Sequence, residues 1–125
     1  MQVGATRFAD VMVLRPIGRV DHSNAEVFAN ALTPHVMGCK RGGDALLFDL
    51  SQLEYISSAG LRVLMLVSKN VTPNGGKVAL AQPQRVVSEI LEISRFKYIF
   101  PIHATLAAGL AALSADAAAA HAAQS

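Results

Sequence analysis

The order of predicted elements indicates an α/β fold, in which helices pack on a mixed sheet. Strand-like segments rich in Val, Leu and Ile alternate with segments whose apolar residues recur at spacings of three and four. Repeated strand–helix–strand units require parallel neighbouring strands joined by right-handed crossovers. A chain of 125 residues, 52% of them hydrophobic, has enough material for the core of one such domain.

Three strands are predicted in the first half of the chain. Residues 3–8 and 11–20 carry apolar side chains on either side of a two-residue turn, and Gly18 stands where a bulge would be expected. Residues 45–50 are almost wholly apolar, which is typical of a strand that is covered on both faces.

The first helix is predicted between the second and third strands. Ser23 and Glu26 have the spacing of a capping box, in which a hydroxyl and a carboxylate each bind a free backbone N–H. Pro34 lacks an N–H and clashes with the preceding turn, so it should end or kink this helix. Val36 and Met37 would then continue a displaced last turn.

The second half of the chain continues the alternation. A helix is predicted from about residue 58 to 70, a strand over residues 77–81, and a third helix near Pro83. Residues 98–100 are predicted as a short edge strand. Thr105 should cap the last helix, because threonine is a favoured residue at that position.

The C-terminal residues differ in composition from the rest of the chain. We assign residues 1–113 to one folded domain and the alanine-rich residues 114–125 to a tail. Alanine has the highest helix propensity, but it offers little side-chain area for docking. We therefore expect the tail to extend the last helix and to fray, and its removal to leave stability nearly unchanged.

Two adjacent serines mark the most informative segment. Asp49 and Leu50 end the apolar third strand, and a short loop leads to Ser57 and Ser58 at the start of the second helix. Asp49 is expected to bind loop N–H groups rather than to act in catalysis. A serine hydroxyl at a helix start accepts a bond from a free N–H, and this end of a helix also favours an anion such as phosphate. The pair is therefore either a simple cap or a modifiable site.

This segment resembles the signature of STAS domains, in particular the small free-standing anti-sigma-factor antagonists of bacteria. The matching residues are Asp49 and Leu50, followed by Tyr-Ile-Ser-Ser-Ala-Gly-Leu at residues 55–61. The resemblance covers about residues 8–113. It implies the STAS fold, a mixed, mostly parallel sheet of about four to five strands with an antiparallel edge strand and helices packed mainly on one side.

The resemblance also implies a modification site. In the family, the hydroxyl residue just before the glycine is phosphorylated, and here Ala59 occupies that position. Ser58 is the hydroxyl residue nearest to it. We predict Ser58 as the phosphoacceptor, with Ser57 as the alternative.

By the same resemblance, the predicted function is that of an anti-sigma-factor antagonist, a non-enzymatic binding switch without a cofactor. The unphosphorylated form would bind a kinase-type anti-sigma factor. Phosphorylation by that partner would end binding, and a metal-dependent Ser/Thr phosphatase would restore it. The alternative is a STAS accessory subunit of a membrane transport system for lipids or anions, which Ala59 at the acceptor position favours.

A surface beside the serines is predicted to bind the partner. Part of the second helix combines basic and apolar residues, and protein interfaces are enriched in arginine around an apolar core. The loop after the second strand should lie near the serine loop in this fold. The predicted partner-binding residues are Asp21, His22, Ser57, Ser58, Ala59, Gly60, Arg62, Met65, Leu66 and Lys69.

Composition and spacing argue against other classes of function. The net charge is +2, with 6% aromatic residues and no basic cluster, unlike a nucleic-acid surface. The four histidines lack metal-ligand spacing, and the serines lack the Gly-x-Ser-x-Gly elbow of a hydrolase. No apolar stretch reaches the roughly 20 residues that span a bilayer. Cys39 is the only cysteine, which favours a reduced, cytoplasmic setting.

Overall fold

The computed structural model describes residues 1–124, in which six strands and five α-helices alternate along the chain. The strands are β1 (Gln2–Phe8), β2 (Val11–Val20), β3 (Ala45–Asp49), β4 (Leu53–Ile56), β5 (Val78–Ala81) and β6 (Ile102–His103). The helices are α1 (Ala25–Gly38), α2 (Ser58–Val71), α3 (Arg85–Ile93), α4 (Leu106–Leu113) and α5 (Ala115–Ala123). None of the helices within residues 1–124 combines the length and apolar character that crossing a membrane requires.

The strands form one mixed sheet in the order β1-β2-β3-β5-β6, with β4 paired to β2. β1 is antiparallel to β2, and the remaining pairs are parallel. The predicted mixed, mostly parallel sheet with an antiparallel edge strand is therefore confirmed. The described part of the chain has six strands rather than four or five, because the loop that leads to the serines forms β4.

Strand β2 changes its inner neighbour partway along its length. It pairs with β3 up to Leu14 and with β4 from Gly18 onward. Pro16 lies between these two ladders, where its missing N–H removes no strand hydrogen bond. Gly18 has a φ of +93°, and the register shifts after it, which confirms the predicted bulge. The change of neighbour places the end of β2 beside β4, which leads into the serine loop.

Helices cover both faces of the sheet. The larger core lies under α1, α2 and α3 and includes Phe28, Phe48 and Leu64. A smaller core lies under α4 and α5 and includes Val13 and Leu110. Most of the helices thus lie on one side, as predicted, and the other side is closed by the last two.

The expectation that the tail frays is wrong for its described part; Ser125 lies outside the described residues. Ser114 accepts a hydrogen bond from the N–H of Ala117 at 3.1 Å and so starts α5 as a separate helix. Ala117 is fully buried, and the ring of His121 meets that of Phe8 edge-on with centroids 5.3 Å apart. Small side chains let α5 lie close to the sheet, where it shields larger apolar residues. The domain boundary at residue 113 stays a prediction.

Two predictions about α1 are corrected. The helix begins after Asn24, and Ser23 does not cap it, because its hydroxyl donates to the carboxylate of Asp21 instead. Pro34 does not end α1, which continues to Gly38, and the alternative of a kink at Pro34 stays a prediction. Pro34 and Asn30 are both exposed, so water can bind the carbonyl that loses its helical donor.

The edge strand predicted at residues 98–100 is also wrong. Phe96–Tyr98 form a 3-10 turn, and the edge strand β6 follows Pro101. The rings of Phe96 and Phe100 are both buried and stack with centroids 5.8 Å apart. Residues four apart would lie about 13 Å from each other along a strand, whereas the turn brings the two rings within stacking distance, so their contact favours the turn. The predicted cap at Thr105 is confirmed.

Candidate functional site

Ser57 is the N-cap of α2. Its hydroxyl accepts a hydrogen bond from the N–H of Gly60 at 3.4 Å, and its own N–H donates to the carbonyl of Val20 at 2.8 Å. These bonds tie the start of α2 to the end of β2. The prediction that one serine of the pair caps this helix is confirmed, and the capping serine is Ser57.

Ser58 is the first residue of α2 and is exposed. Among residues 1–124, no group forms a hydrogen bond with its hydroxyl. Ala59 beside it is half-buried. The serine pair is thus at least partly exposed, with the hydroxyl of Ser57 engaged in a cap and that of Ser58 without a hydrogen bond to residues 1–124.

Gly60 allows the first turn of α2 to lie directly on the strand ends. A Cβ atom at this position would stand 2.7 Å from Cγ1 of Val20 and 2.7 Å from Cγ1 of Ile56. No side chain fits there without displacing one of these neighbours. Gly60 is buried, so its contribution to the site is this close approach rather than exposed surface.

The loop after β2 lies beside the serine loop, because β2 and β4 are parallel and Val20 pairs with Ile56. In that loop, the carboxylate of Asp21 accepts hydrogen bonds from the hydroxyl and the N–H of Ser23. The hydroxyl bond, followed by the N–H bond, holds the pKa of Asp21 below its usual value. His22 is exposed at the same place. The predicted proximity of these loops is therefore seen in the structure.

Three residues that organise these loops were not predicted from the sequence. Asn24 accepts a hydrogen bond from the N–H of Asp21 at 2.9 Å and donates to the carbonyl of Arg19 at 2.8 Å. The guanidinium of Arg19 lies 4.5 Å from the centre of the Tyr55 ring. An asparagine just before a helical pattern is a recognisable signal for such a turn. The Arg19–Tyr55 contact depends on the pairing of β2 with β4, which has no local signal.

One exposed stripe runs along α2 from the serine loop. Ser58, Arg62, Leu66 and Lys69 are all exposed and follow each other at spacings of three and four residues. Met65 is only half-buried but packs against the larger core. Of the predicted partner-binding residues on α2, the structure therefore brings these four together on one surface. Leu66, 47% exposed, is the apolar member of the stripe.

An apolar groove of about 470 Å³ lies beside this stripe, between α1 and α2. Leu66 forms part of its wall, and Cys39 lies within it. Burial raises the pKa of the Cys39 thiol above its usual value, so the thiol is neutral at physiological pH. The other residues that line the groove are Ala29, Leu32, Thr33, Val36, Met37, Lys40, Val63, Val67, Asn70 and Asn74.

Asp49 has a structural role at the end of β3. Its carboxylate accepts hydrogen bonds from the N–H of Ser51 at 3.0 Å and from Nε of Arg15 at 2.9 Å. The expected bond to a loop N–H is thus confirmed, and the ion pair with Arg15 was not predicted. Asp49 is buried, and both of its carboxylate oxygens are engaged.

Within residues 1–124, no three His, Cys, Asp or Glu side chains are grouped so as to hold a metal ion. The site instead presents one exposed hydroxyl beside a stripe that is partly basic and partly apolar.

Comparison with known sequences finds a family match and relatives of this chain. The sequence model of the STAS domain family matches residues 2–109. The Bordetella bronchiseptica protein BtrV, provisionally named an anti-sigma factor antagonist, is 40% identical over 85 residues, which are 68% of this chain and 71% of that protein.

Solved structures share the fold. A protein of Thermotoga maritima, provisionally named an anti-sigma factor antagonist, has a TM-score of 0.79 at 23% identity, covering 89% of this chain and 93% of that one. Bacillus SpoIIAA in its phosphorylated form has a TM-score of 0.66 at 14% identity, covering 90% of this chain and 100% of that one. Since the family match spans nearly the whole chain, this protein belongs to the STAS domain family.

Proposed function

We propose that this protein is a non-enzymatic, cytoplasmic anti-sigma factor antagonist whose binding is controlled by phosphorylation of Ser58. In its unphosphorylated form it binds a kinase-type anti-sigma factor and thereby frees the sigma factor. The partner phosphorylates Ser58 and is released. A metal-dependent Ser/Thr phosphatase then restores the binding form.

The observation that carries this proposal is that only one of the two serine hydroxyls is used to cap α2. The hydroxyl of Ser57 is engaged with Gly60, whereas that of Ser58 is exposed without a hydrogen-bond partner among residues 1–124. A kinase must reach its target hydroxyl from solvent, and Ser58 meets that requirement. Ala59 stands at the position that the family phosphorylates, and Ser58 lies directly before it.

The relatives support the same function. BtrV and a Paenibacillus polymyxa protein, 22% identical over 103 residues, both carry names that describe anti-sigma factor antagonists. SpoIIAA, which shares the fold, has been solved in unphosphorylated and phosphorylated forms. A protein of this fold can therefore exist in the two states that the proposal requires.

Electrostatics explain how one phosphate would act as the switch. Phosphorylation adds a charge of about −1.5 to −2 and three strong acceptor oxygens. On Ser58 this charge would lie at one end of the exposed stripe, with Arg62 one helical turn away as the next cation along it. The phosphate would pair with Arg62 and withdraw it from the partner. The added negative charge and the loss of Arg62 as a contact for the partner both weaken the complex without a change of fold.

The proposal is tested by incubating the protein with its cognate kinase-type anti-sigma factor and ATP and mapping phosphate by mass spectrometry. We expect phosphate on Ser58 in the wild type and in Ser57→Ala, and none in Ser58→Ala. Ser58→Asp should lower affinity for the partner roughly tenfold, because it places a negative charge on the stripe. Ser58→Asn, which has the same size without the charge, is the matched control and should bind nearly as the wild type does.

Two results would contradict this proposal. Phosphate on Ser57 alone would move the acceptor by one residue. Phosphate on neither serine, together with unchanged binding by Ser58→Asp, would favour permanent docking as an accessory subunit of a transport system.

A further inference from the structure

The two edges of the sheet are protected unequally. β6 has only two residues and follows Pro101, so it offers little backbone for pairing. β1 has seven residues, pairs with β2 without a register shift, and contains neither proline nor lysine. Natural sheets usually blunt a free edge with a short strand, a bulge or charged residues. β1 is neither short nor bulged, and its one charged residue is Arg7, so most of its length is an open template for another strand.

Alternate residues of β1 direct their backbone groups away from the sheet. The two-residue turn makes Phe8 and Val11 a hydrogen-bonded pair, so the even-numbered residues of β1 bond to β2. The N–H and C=O groups of Val3, Ala5 and Arg7 therefore face the open edge. These groups are spaced as an added antiparallel strand requires.

The charged residue of β1 is held away from this edge. The guanidinium of Arg7 forms an ion pair with the carboxylate of Asp44, which directly precedes β3 on the far side of β2. The side chain of Arg7 is thus drawn back across the sheet. At the middle of the strand, Gly4, Ala5 and Thr6 have small side chains, which leave room for a close neighbour.

Helix α5 lies over the same edge and contacts β1. Its exposed residues include four alanines, Ala115, Ala119, Ala122 and Ala123. Polar side chains would normally occupy the solvent face of such a helix. Methyl groups allow a second helix to approach closely, because the distance between packed helices depends on the side chains at the contact. The composition of α5 is therefore independent support for a neighbouring molecule packed beside the β1 edge.

We propose that the β1 edge is a self-association surface, on which a second copy of this chain adds its own β1 in antiparallel orientation. The two-fold axis passes beside Ala5, so that Val3 faces Arg7 of the second copy and like charges do not meet. A two-fold axis perpendicular to the sheet also puts both α5 helices on the same face, next to each other. This self-complementarity favours a second copy over a strand from another protein.

The first test is the mass of the full-length protein in sedimentation velocity across a concentration series. We expect the sedimenting species to shift from 13.2 kDa towards twice that mass as concentration rises. Ala5→Lys places a charge on the open edge and should lower the association constant at least tenfold. Asn30→Lys, an equal change of charge at an exposed position of α1, should associate as the wild type does. Circular dichroism of both variants verifies that they are folded.

The second test uses the wild type alone and locates the interface by amide hydrogen exchange. In the dimer, the N–H groups of Ala5 and Arg7 should exchange slowly, and on dilution they should become fast while those of Thr6 and Phe8 stay slow. A monomer at every concentration would overturn the proposal. So would a dimer in which the Ala5 and Arg7 amides exchange fast, because the copies would then meet through another surface.

Discussion

The starts of α2 and α5 are alike in sequence but differ in use. Each helix begins with a serine cap, Ser57 bonded to the N–H of Gly60 at 3.4 Å and Ser114 to that of Ala117 at 3.1 Å. The hydroxyl of Ser114 also donates to Asp10, and an alanine follows it in the chain. Ser57 is followed instead by a second serine.

The difference is a surplus hydroxyl. At α5, the hydroxyl group serves both the cap and the contact with the hairpin turn, so the helix start is structural. At α2, the cap needs only one of two hydroxyls, and the other is exposed on a stripe of mixed character. A helix cap thus indicates a candidate site when a neighbouring polar group has no structural use.

The largest expected change in stability comes from removing α5, and it shows whether this helix stabilises the fold. A chain that ends after Leu113 should lose about 3 kcal/mol of unfolding free energy, because Phe8 and the apolar face beneath α5 would become exposed. This expectation replaces that of an unchanged stability, which assumed a frayed tail. Urea denaturation measures the change, and a chain that ends after Ala123 is the control. Unchanged stability after truncation at Leu113 would mean that α5 does not dock in solution.

The next effect tests whether the start of α2 is held by close packing. Gly60→Ala should cost about 2 kcal/mol, because the added methyl group overlaps side chains of Val20 and Ile56. Gly38→Ala in α1 is the matched control, since nothing lies within 4 Å of its added Cβ. The control should be neutral or slightly stabilising. Equal thermal midpoints for the two variants would show that α2 can shift away from the strands.

Alanine substitutions at Ser57, Ser58 and Ser114 test directly which hydroxyls at the starts of α2 and α5 stabilise the fold. Ser57→Ala and Ser114→Ala should each cost about 1 kcal/mol, because each removes a helix cap. Ser58→Ala should cost roughly 0.5 kcal/mol or less, as is usual for an exposed residue without a partner. Chemical denaturation of the three variants measures these values. If Ser58→Ala costs as much as Ser57→Ala, the hydroxyl of Ser58 is not surplus.

The smallest effect concerns the loop beside the serines. Ser23→Ala removes the hydroxyl bond that chiefly lowers the pKa of Asp21, so this pKa should rise towards the usual value of about 3.9. NMR titration of the carboxyl group measures the change, with Ser68→Ala in α2 as the control. Because the folded-state pKa is lowered, the stabilising contribution of Asp21 is present above the usual pKa and is lost as pH falls through the folded-state pKa. A pKa that is the same in wild type and Ser23→Ala would contradict the role assigned to this bond.

Local chemistry made much of the fold predictable. A hydroxyl cap at the start of α2 and the cap at Thr105 each depend on a hydroxyl and an N–H three residues away, and the bulge at Gly18 depends on backbone freedom. Periodic apolar residues likewise identified most of the strands and helices that pack against the core, but not β4 or the position of β6. The serine loop resembled a known family because its residues are consecutive in the chain.

Longer-range contacts could not be predicted in the same way. β4 is a strand because it pairs with β2, and the pairing of Asp49 with Arg15 joins residues far apart in the chain. The docking of α5 depends on an apolar face that β1, β2 and β3 form only together.

The sequence by itself determined the α/β order, the serine pair at the start of α2 and the basic and apolar residues along that helix. Only the tertiary structure decided that Ser57 is the cap and Ser58 the free hydroxyl, and that α5 closes the second face of the sheet. The physical reason is that adjacent serines are locally equivalent. They become different when Gly60 and Val20 bring the helix start against the strand ends and engage one hydroxyl.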